Sequence, residues 1–330
     1  MSEQQARPNV PELIGAIWPV GLLLGARRAG VFEALAEQPG TLEDIMERLG
    51  TQRRPTRIVL DALSALQLLK KEGTRYRLHP EARDWLVAGR PDSQAHRMDH
   101  LSYMWEAWGR LAEVMRTGKP AQSEPADETD KQRRMEAFIG AMQEVGQASA
   151  ETLADRLCLQ GVRRVLDVGG GPGAYCIALA RRKPDLQLTL LDRQAALDVA
   201  RGYVEAAGLA QRIELRPGDA TVEEYGGPFD LIVISQLFHA YDEATNQAMM
   251  ARAARALAVG GRVVVNEFAL QADRMSPSHA ALFAVNMLVN TEAGRSYTIG
   301  EIEAWMRNAG LEPETRETLL ERSTVFIGRK

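Results

Sequence analysis

The chain has 330 residues, enough for about two domains at roughly 100–200 residues per domain. Its composition of 45% hydrophobic and 25% charged residues excludes a disordered tail, a collagen-like chain and a coiled-coil rod. The formal net charge of -4 gives no global electrostatic reason to bind nucleic acid or an anionic membrane. Cys158 and Cys176 cannot form a disulfide framework and have no partners at metal-ligand spacing, so we expect a cytoplasmic protein without a metal site.

Residues 13–26 are the first strongly apolar segment, and they carry no charge. The segment is too short to span a bilayer, and Pro19 and several glycines interrupt it. A signal peptide would carry basic residues before the apolar segment, whereas Glu3 and Glu12 contribute negative charge there. We therefore expect an apolar helix that is buried in a domain or subunit interface.

A pattern of two helices and a small β-ribbon follows. Thr41 is a threonine N-cap with acidic residues in the next turn, so it predicts the start of a helix. Residues 55–69 carry apolar side chains at helical spacing and predict the second helix. Residues 70–73 predict a turn and residues 75–78 a short strand. This order is typical of a winged helix, which we assign to a domain over residues 1–95.

A winged helix raises a second class of function, that of a DNA-binding regulator. Residues 41–80 carry more basic than acidic side chains, as contacts with DNA phosphates require. Such helices also serve as dimerisation modules with their charges in solvent, and the rest of the chain has the pattern of an enzyme. DNA binding is therefore the minor alternative.

The remaining chain divides into a helical segment and a segment of alternating strands and helices. Residues 96–157 are predicted to be helical and to contribute to a substrate pocket. Over residues 158–330 short apolar strands alternate with helices, which implies a parallel sheet with helices on both faces. The sequence therefore predicts an α/β protein, with a Rossmann-like domain after a mostly helical first domain.

A glycine-rich turn at residues 169–173 follows the first strand of the Rossmann-like domain. Gly169 and Gly171, with Ala174, fit the dinucleotide fingerprint, so a nicotinamide cofactor is one alternative. Asp167, inside the end of the strand, argues against it, because a carboxylate there would repel a pyrophosphate and attract a cationic ligand.

Two more carboxylates extend this pattern. Asp192 ends the second strand, where it could accept hydrogen bonds from both hydroxyls of a ribose. Asp219 follows the third strand and could accept a hydrogen bond from an adenine amino group. Three carboxylates around a glycine turn fit a ligand with a ribose, an adenine and a positive centre but no phosphate. S-adenosyl-L-methionine (SAM) is such a ligand.

One set of residues combines these features: the segments 165–173 (VLDVGGGPG) and 237–242 (LFHAYD), together with Asp192, Gly218 and Asp219. With them the sequence resembles the SAM-dependent O-methyltransferases of the plant caffeate and bacterial natural-product type, over nearly the whole chain. The glycine turn alone occurs in many SAM enzymes, but its combination with a winged helix and a histidine after the fourth strand is more specific. The resemblance implies a class I methyltransferase fold and a homodimer formed through the first domain.

The resemblance also implies roles for individual residues. His239 matches the general base that takes the proton of a substrate hydroxyl, and Glu267 matches a carboxylate that orients the histidine ring. The residues implied to bind the cofactor are Asp167, Gly169, Gly171, Asp192, Arg193, Gly218, Asp219, Ala220, Ser235 and Gln236. No metal is expected, because the family type with a histidine base needs none.

Aromatic, methionine and asparagine side chains could enclose a flat substrate and bind its oxygens. These residues are Met104, Trp105, Trp108, Phe138, Met142, Phe283, Asn286, Met287 and Asn290. Asn286 and Asn290 are four residues apart and share one face of a helix. We expect a small aromatic or polyketide-like substrate and no membrane partner.

Two departures from the family pattern leave other reactions open. Ala240 and Tyr241 follow the histidine where the family often has Asp-Trp, and a second family carboxylate has no counterpart in residues 294–298. The alternative is a SAM-binding homologue that methylates carbon or nitrogen, or that carries out no methyl transfer.

Overall fold

The computed structural model describes residues 9–121 and 124–330. The chain forms two compact units, Met1–Ser102 and Tyr103–Lys330. The borders expected from the sequence, after residues 95 and 157, stay a prediction.

The first unit combines helices with a small antiparallel sheet in the order β1-β3-β2. Its elements are α1 (Val10–Gly15), α2 (Ile17–Arg28), α3 (Val31–Glu37), β1 (Gly40–Thr41), α4 (Leu42–Leu49), α5 (Arg53–Ala65), β2 (Leu69–Glu72), β3 (Arg75–Leu78) and α6 (Pro80–Leu86). Thr41 caps α4 as the sequence predicts, because its hydroxyl accepts the Asp44 N–H and the Asp44 carboxylate accepts the Thr41 N–H. Phe32, Ile45 and Leu60 are among the fully buried side chains of the core.

Two boundaries in this unit differ from the prediction. The helix expected over residues 55–69 ends at Ala65, because Gln67 takes a left-handed φ of 61° that breaks the helical path. The turn expected at residues 70–73 is a strand up to Glu72, and Gly73 alone takes a left-handed φ, of 60°. The helices and the ribbon still occur in the predicted order.

The apolar N-terminal helices are mostly exposed within the described part of this single chain. Val10–Arg28 is long and apolar enough to cross a membrane, yet only 11% of its apolar window is buried. Leu13 is 71% exposed and Trp18 is 80% exposed, whereas Leu24 and Ala26 near the end of α2 are buried in the core of the unit. A contiguous exposed apolar surface is typical of an interaction site. Burial inside the domain is therefore limited to the end of α2, and burial of the exposed part in a subunit interface remains the expectation.

Several basic residues of this unit are engaged in ion pairs. Lys71 Nζ lies 2.7 Å from Asp61 Oδ1, and Arg53 pairs with Glu43. In each pair a carboxylate already contacts the cationic side chain that a DNA phosphate would otherwise contact. The pairing favours the dimerisation alternative over DNA binding.

The second unit holds a seven-stranded sheet with helices on both faces. Helix α7 (Ala95–Gly109) includes the boundary between the units, and α8 (Leu111–Thr117) and α9 (Glu128–Arg156) precede the sheet. Its strands are β4 (Arg164–Val168), β5 (Gln187–Asp192), β6 (Ile213–Pro217), β7 (Phe229–Ser235), β8 (Leu257–Glu267), β9 (Glu312–Leu319) and β10 (Ser323–Arg329). The later helices are α10 (Ala174–Arg182), α11 (Gln194–Ala206), α12 (Glu243–Ala256), α13 (Ser278–Asn290) and α14 (Ile299–Asn308).

The strand order is β6-β5-β4-β7-β8-β10-β9, with β4 to β8 parallel and the last two strands antiparallel. The central strands β4 and β7 are nearly continuous apolar runs because helices cover both of their faces. The chain order reverses between β4 and β7, and in open α/β sheets ligands bind at the carboxyl ends of strands beside such a reversal. The predicted Rossmann-like fold is confirmed.

One strand begins earlier than predicted. The strand expected over residues 262–268, after a turn at Gly260 and Gly261, starts at Leu257 as part of β8. A Cβ at Gly261 would press on the backbone oxygens of Ala258 and Phe229. The glycine is therefore required by the close approach of β7, and it does not end the strand.

Candidate active site

The carboxyl edge of the parallel strands gathers most of the predicted site residues. The glycine turn follows β4, Asp192 ends β5, and Asp219 follows β6. Ser235 ends β7 and Glu267 ends β8. The predicted residues thus lie on one edge of one sheet because parallel strands end on the same side.

The glycine turn brings the backbone close to neighbouring side chains. A Cβ at Gly170 would overlap the side chains of Leu190 and Asp167, so no larger residue fits there. Gly171 takes a left-handed φ of 52° and its N–H donates to Asp192 Oδ2 at 2.8 Å. A Cβ at Gly171 would meet nothing within 4 Å. A ligand could therefore approach the backbone at this position.

Asp167 is a fully buried acid at the end of β4. Burial raises the pKa of Asp167 to about 7, and the nearby negative charge of Asp192 adds to the shift. Hydrogen bonding by the thiol and the backbone of Cys176 opposes the shift but does not cancel it. A buried carboxylate of this kind is stabilised in its ionised form by a nearby positive charge. The site therefore fits a cationic ligand.

Asp192 and Asp219 are held in defined orientations by backbone and hydroxyl donors. Asp192 Oδ1 accepts the Arg193 N–H at 2.7 Å, and burial raises the pKa of its carboxyl. Asp219 Oδ1 accepts the hydroxyl of Thr221 at 2.6 Å and its N–H at 2.8 Å, which lowers the pKa of Asp219. The charges of Arg193, Asp192 and Asp219 all act on the Tyr241 hydroxyl, whose pKa burial raises. These groups form one polar cluster beside the glycine turn.

Hydrogen bonds hold the backbone of Gly218 and Ala220 beside this polar cluster. The Gly218 N–H donates to the Asp192 carbonyl at 3.0 Å. The carbonyl of Ala220 accepts the hydroxyl of the fully buried Tyr225 at 2.9 Å. The loop after β6 is therefore tied to the end of β5.

Ser235 and Gln236 lie at the end of β7, beside Asn266, which the sequence analysis did not name. Asn266 Nδ2 donates to Ser235 Oγ at 3.1 Å and to Tyr175 Oη at 2.9 Å. Gln236 takes a left-handed φ of 53°, and its Oε1 is a buried acceptor without a partner among the described residues. Strain and an unused acceptor at the same residue are typical of a functional site. The signal for Asn266 was a polar residue at the end of an otherwise apolar strand.

His239 and Glu267 meet at the ends of neighbouring strands. His239 lies in the 3₁₀ turn Phe238–Ala240 after β7, and its Nδ1 is 2.7 Å from Glu267 Oε1. The side chain of His239 is 12% exposed and that of Glu267 is 1% exposed. The carboxylate can only accept, so Nδ1 carries the proton and donates it, and Nε2 keeps its lone pair. The arrangement can therefore accept a proton at Nε2.

Helix α13 lies beside this pair. The Phe283 ring meets the His239 ring edge-on, with ring centroids 4.7 Å apart. One turn further along α13, Asn286 Oδ1 accepts the Trp108 indole N–H and an N–H of Asn290 Nδ2, both at 3.1 Å. The structure thus places Phe283 against the candidate base and joins Trp108, Asn286 and Asn290 by hydrogen bonds to one another.

The other predicted substrate residues lie in the same unit. Met287 is buried in α13. Met104 and Trp105 lie on α7, Phe138 and Met142 on α9, and each of these four is at least partly exposed. Their contact with a substrate stays a prediction.

The segment that lacks the second family carboxylate is well ordered by other contacts. The Ser296 hydroxyl donates to the Ala280 carbonyl at 2.8 Å, and the Tyr297 hydroxyl donates to the Tyr241 carbonyl at 2.6 Å. In the described part of the chain, Glu267 is the only carboxylate with a hydrogen bond to His239.

Comparisons with known proteins agree with this geometry. Residues 110–312 match the O-methyltransferase domain family, and residues 12–88 match the O-methyltransferase dimerisation domain. The dimerisation match covers the unit with the exposed apolar helices.

Curated relatives cover almost the full chain. It is 34% identical over 303 residues to 3-hydroxy-5-methyl-1-naphthoate 3-O-methyltransferase of Streptomyces sahachiroi, a match that covers 91% of this chain and 88% of the relative. It is 28% identical over 329 residues to the tetracenomycin polyketide synthesis 8-O-methyl transferase TcmO of Streptomyces glaucescens, with 98% and 96% covered.

Solved structures share the fold. An O-methyltransferase family protein from Burkholderia thailandensis has a TM-score of 0.87 at 26% identity, covering 98% of this chain and 99% of that one. Human N-acetylserotonin methyltransferase in complex with SAM has a TM-score of 0.85 at 22% identity, covering 100% and 99%. This chain therefore belongs to the SAM-dependent O-methyltransferases of natural-product type, and its methyl donor is S-adenosyl-L-methionine.

Proposed function

We propose that the enzyme methylates a hydroxyl of a small aromatic natural product, with His239 as the general base. The observation that carries the proposal is the His239–Glu267 pair, which leaves Nε2 available for a substrate proton. The names of the two relatives, a hydroxynaphthoate methyltransferase and a polyketide-synthesis methyltransferase, support an aromatic acceptor. The aromatic ring of Phe283 beside the pair also suits a flat substrate.

The cofactor would bind along the carboxyl edge of the sheet. Asp167 would attract its positive charge, Asp192 would accept from its ribose hydroxyls, and Asp219 would accept from its adenine amino group. The open backbone at Gly171 would allow close approach. The buried Gln236 Oε1, which has no partner among the described residues, supports this assignment, as does the burial of Asp167 beside Asp192.

The chain's own residues would carry the proton transfer. When bound, SAM supplies a methyl group on a positively charged sulfur. His239 Nε2 would accept the hydroxyl proton as the substrate oxygen takes the methyl group, and Glu267 would stabilise the imidazolium that results. A phenol of pKa ~10 is mostly protonated near pH 7, so a positioned base contributes about 10²–10⁴-fold to the rate.

A homodimer is part of the proposal. The match to the dimerisation domain covers residues 12–88, and α1 and α2 within it expose Leu13 and Trp18. A second copy of the chain would remove these side chains from water. A cytoplasmic location is also proposed, because Cys158 and Cys176 are both free thiols.

Two measurements test this function. Calorimetric titration with S-adenosylhomocysteine should show micromolar binding, and the parallel titration with NAD should show none. A methyl-labelled SAM assay with matched phenols, anilines and carbon acids should label the phenols. Binding of NAD alone would contradict the cofactor assignment, and labelling of amines or carbon alone would replace O-methylation by the alternative reaction.

A further inference from the structure

The backbone that carries His239 is a single short turn, Phe238–Ala240. The Tyr241 N–H donates to the Phe238 carbonyl at 3.2 Å, a long bond of the kind that 3₁₀ geometry gives. A turn this short does not fix its own orientation. The direction in which His239 presents Nε2 therefore depends on contacts that other elements make with the turn.

Asn246, near the start of α12, contacts the turn at both ends. Its Nδ2 donates to the Phe238 carbonyl at 2.8 Å and to the Tyr241 carbonyl at 3.4 Å. Carbonyl oxygens can only accept, so the nitrogen of the amide must face them. The side chain thus bridges the carbonyl before His239 and a carbonyl after it.

This asparagine is unfavourable for the stability of the fold. It is 0% exposed, and Met249 and Met250 of the same helix belong to the apolar core around it. Its Oδ1 is a buried acceptor without a partner among the described residues. A buried unpaired acceptor costs free energy, and asparagine forms helix less readily than alanine. Packing alone would therefore favour an apolar residue, whereas the two carbonyls require a donor.

The segment before α14 meets the turn from another side. The hydroxyl of the fully buried Tyr297 donates to the Tyr241 carbonyl at 2.6 Å. A Cβ at Gly294 would overlap the His239 carbonyl oxygen, so the backbone of Gly294 packs directly on that oxygen. The carbonyls of Phe238, His239 and Tyr241 are thus each contacted by α12 or by this segment.

We propose that Asn246 is a positioning residue for the proton transfer, because its amide holds the turn that directs His239 Nε2. The inference rests on the proposed function and adds to it a buried residue that acts only through the turn. Glu267 holds the imidazole at Nδ1, and Asn246 holds the backbone from which the imidazole extends. Both constraints matter, since a displacement of about 1 Å can cost roughly 10²-fold in rate.

Asn246→Ala is the informative variant. It should lower kcat about tenfold, while the substrate KM and the Kd of S-adenosylhomocysteine stay within about threefold. The Tm should stay within about 3 °C of the wild type, because the Phe238 carbonyl keeps the Tyr241 N–H, the Tyr241 carbonyl keeps the Tyr297 hydroxyl, and the unpaired Oδ1 is removed. A purely structural residue would lower Tm and kcat together. Gln247→Ala, at the next and exposed position of α12, is the matched control and should keep the wild-type kcat.

A readout without methyl transfer tests the contact itself. Hydrogen exchange followed by mass spectrometry, on the full-length protein saturated with S-adenosylhomocysteine, reports the backbone of residues 237–241. Their exchange should be at least about threefold faster in Asn246→Ala than in the wild type or Gln247→Ala. Tyr297→Phe removes one hydroxyl and no backbone contact, so it should raise exchange and lower kcat in the same direction by smaller factors.

The His239→Ala background tests whether Asn246 acts through the imidazole. Adding Asn246→Ala there should cause no further loss of kcat, because the group that it positions is already absent. A further tenfold loss in this background would assign the effect to the rest of the site and overturn the inference.

The remaining outcomes separate the inference from the proposed function. Unchanged exchange of residues 237–241 in Asn246→Ala, or faster exchange with wild-type kcat, overturns the role of Asn246 alone. A His239→Ala variant with wild-type kcat, or an enzyme that labels no phenol, contradicts the proposed function and removes the role of Asn246 with it.

Discussion

At the scale of single residues, the orientation of the His239 ring depends on the hydrogen bonds that the Glu267 carboxylate accepts. Its carboxylate accepts from His239 Nδ1 at 2.7 Å and from the Phe268 N–H at 2.9 Å, with the His239 N–H at 3.4 Å. The backbone donors hold the carboxylate still, so the imidazole that donates to it is held as well. A base whose ring is fixed at Nδ1 can present Nε2 in one direction only.

The first prediction concerns His239. His239→Ala should lower kcat by at least about 100-fold, because the positioned acceptor for the hydroxyl proton is lost. The Kd of S-adenosylhomocysteine should stay within about threefold of the wild type, as measured by calorimetry. His79→Ala in the first unit is the control and should keep wild-type turnover. Wild-type kcat in the His239 variant would exclude it as the base.

The second prediction is that Asp167 makes ligand binding depend on pH. Since its pKa is raised to about 7, the carboxyl is largely protonated below that pH in the ligand-free protein. The ammonium group of S-adenosylhomocysteine prefers the ionised form, so affinity should rise between pH 6 and 8 and then level off. Titrations across this range should show the rise in the wild type and a flat profile in Asp167→Asn. If the affinity for S-adenosylhomocysteine rose equally with pH in both proteins, the pH dependence would come from another group.

The same shift has a consequence of opposite sign for the ligand-free protein. A carboxyl whose folded pKa lies above its unfolded value of 3.8 contributes stability below that value and loses it as pH rises through about 7. The Tm of the wild type should therefore fall relative to that of Asp167→Asn between pH 5 and 8. Asp198→Asn, at an exposed position of α11, should follow the wild type.

At the scale of elements, the start of α14 is defined by a reciprocal cap. The Thr298 hydroxyl accepts the Glu301 N–H, and the Glu301 carboxylate accepts the Thr298 N–H at 2.6 Å. Burial would raise the pKa of Glu301, but this N–H, Arg274, the Thr298 hydroxyl and Arg295 lower it to about 2. The cap is therefore present over the whole range above pH 4.5 and is lost only in strong acid.

Removing this cap should be measurable. Thr298→Ala should lower the free energy of unfolding by about 1 kcal/mol, the usual cost of a lost N-cap. Urea denaturation at pH 7 would show it as a lower midpoint with an unchanged slope. Thr74→Ala, in the exposed β2–β3 turn, should change stability by less than about 0.5 kcal/mol. Equal midpoints for Thr298→Ala and the wild type would mean that α14 does not need its cap.

The bounds of a helix or strand could be predicted from the sequence where a single local sequence signal sets them. The helix at Ala174–Arg182 and the strand at Phe229–Ser235 have the expected bounds, because a glycine turn and a buried apolar run define them. The end of α5 was not predictable, because it depends on the backbone of Gln67. Asn266 was missed for a different reason. Its hydrogen-bond partners, Ser235 and Tyr175, lie on β7 and α10, and the sequence of β8 does not indicate which residues Asn266 contacts.

At the scale of the whole molecule, the sequence predicted a mostly helical first domain, a Rossmann-like fold and the enzyme class, whereas the borders expected after residues 95 and 157 stay a prediction. The acids Asp167, Asp192 and Asp219 could be assigned to one ligand because parallel strands end on one side. The hydrogen bond between Trp108 and Asn286 could not be predicted, because the two residues are 178 positions apart in the chain. Contacts between distant segments decide the finer features of the site.

The last prediction concerns the association of two chains. With a mass of 36.4 kDa, the wild type should sediment as a dimer at micromolar concentration, because α1 and α2 leave apolar side chains in water. Trp18→Glu puts a charge at a position that is 80% exposed in the single chain, so it should leave the fold intact and shift the protein to monomer. Val259→Glu, at a 97% exposed position of β8, controls for added surface charge and should remain dimeric. Sedimentation velocity separates the two states, and a monomeric wild type or a dimeric Trp18 variant would move the interface away from these helices.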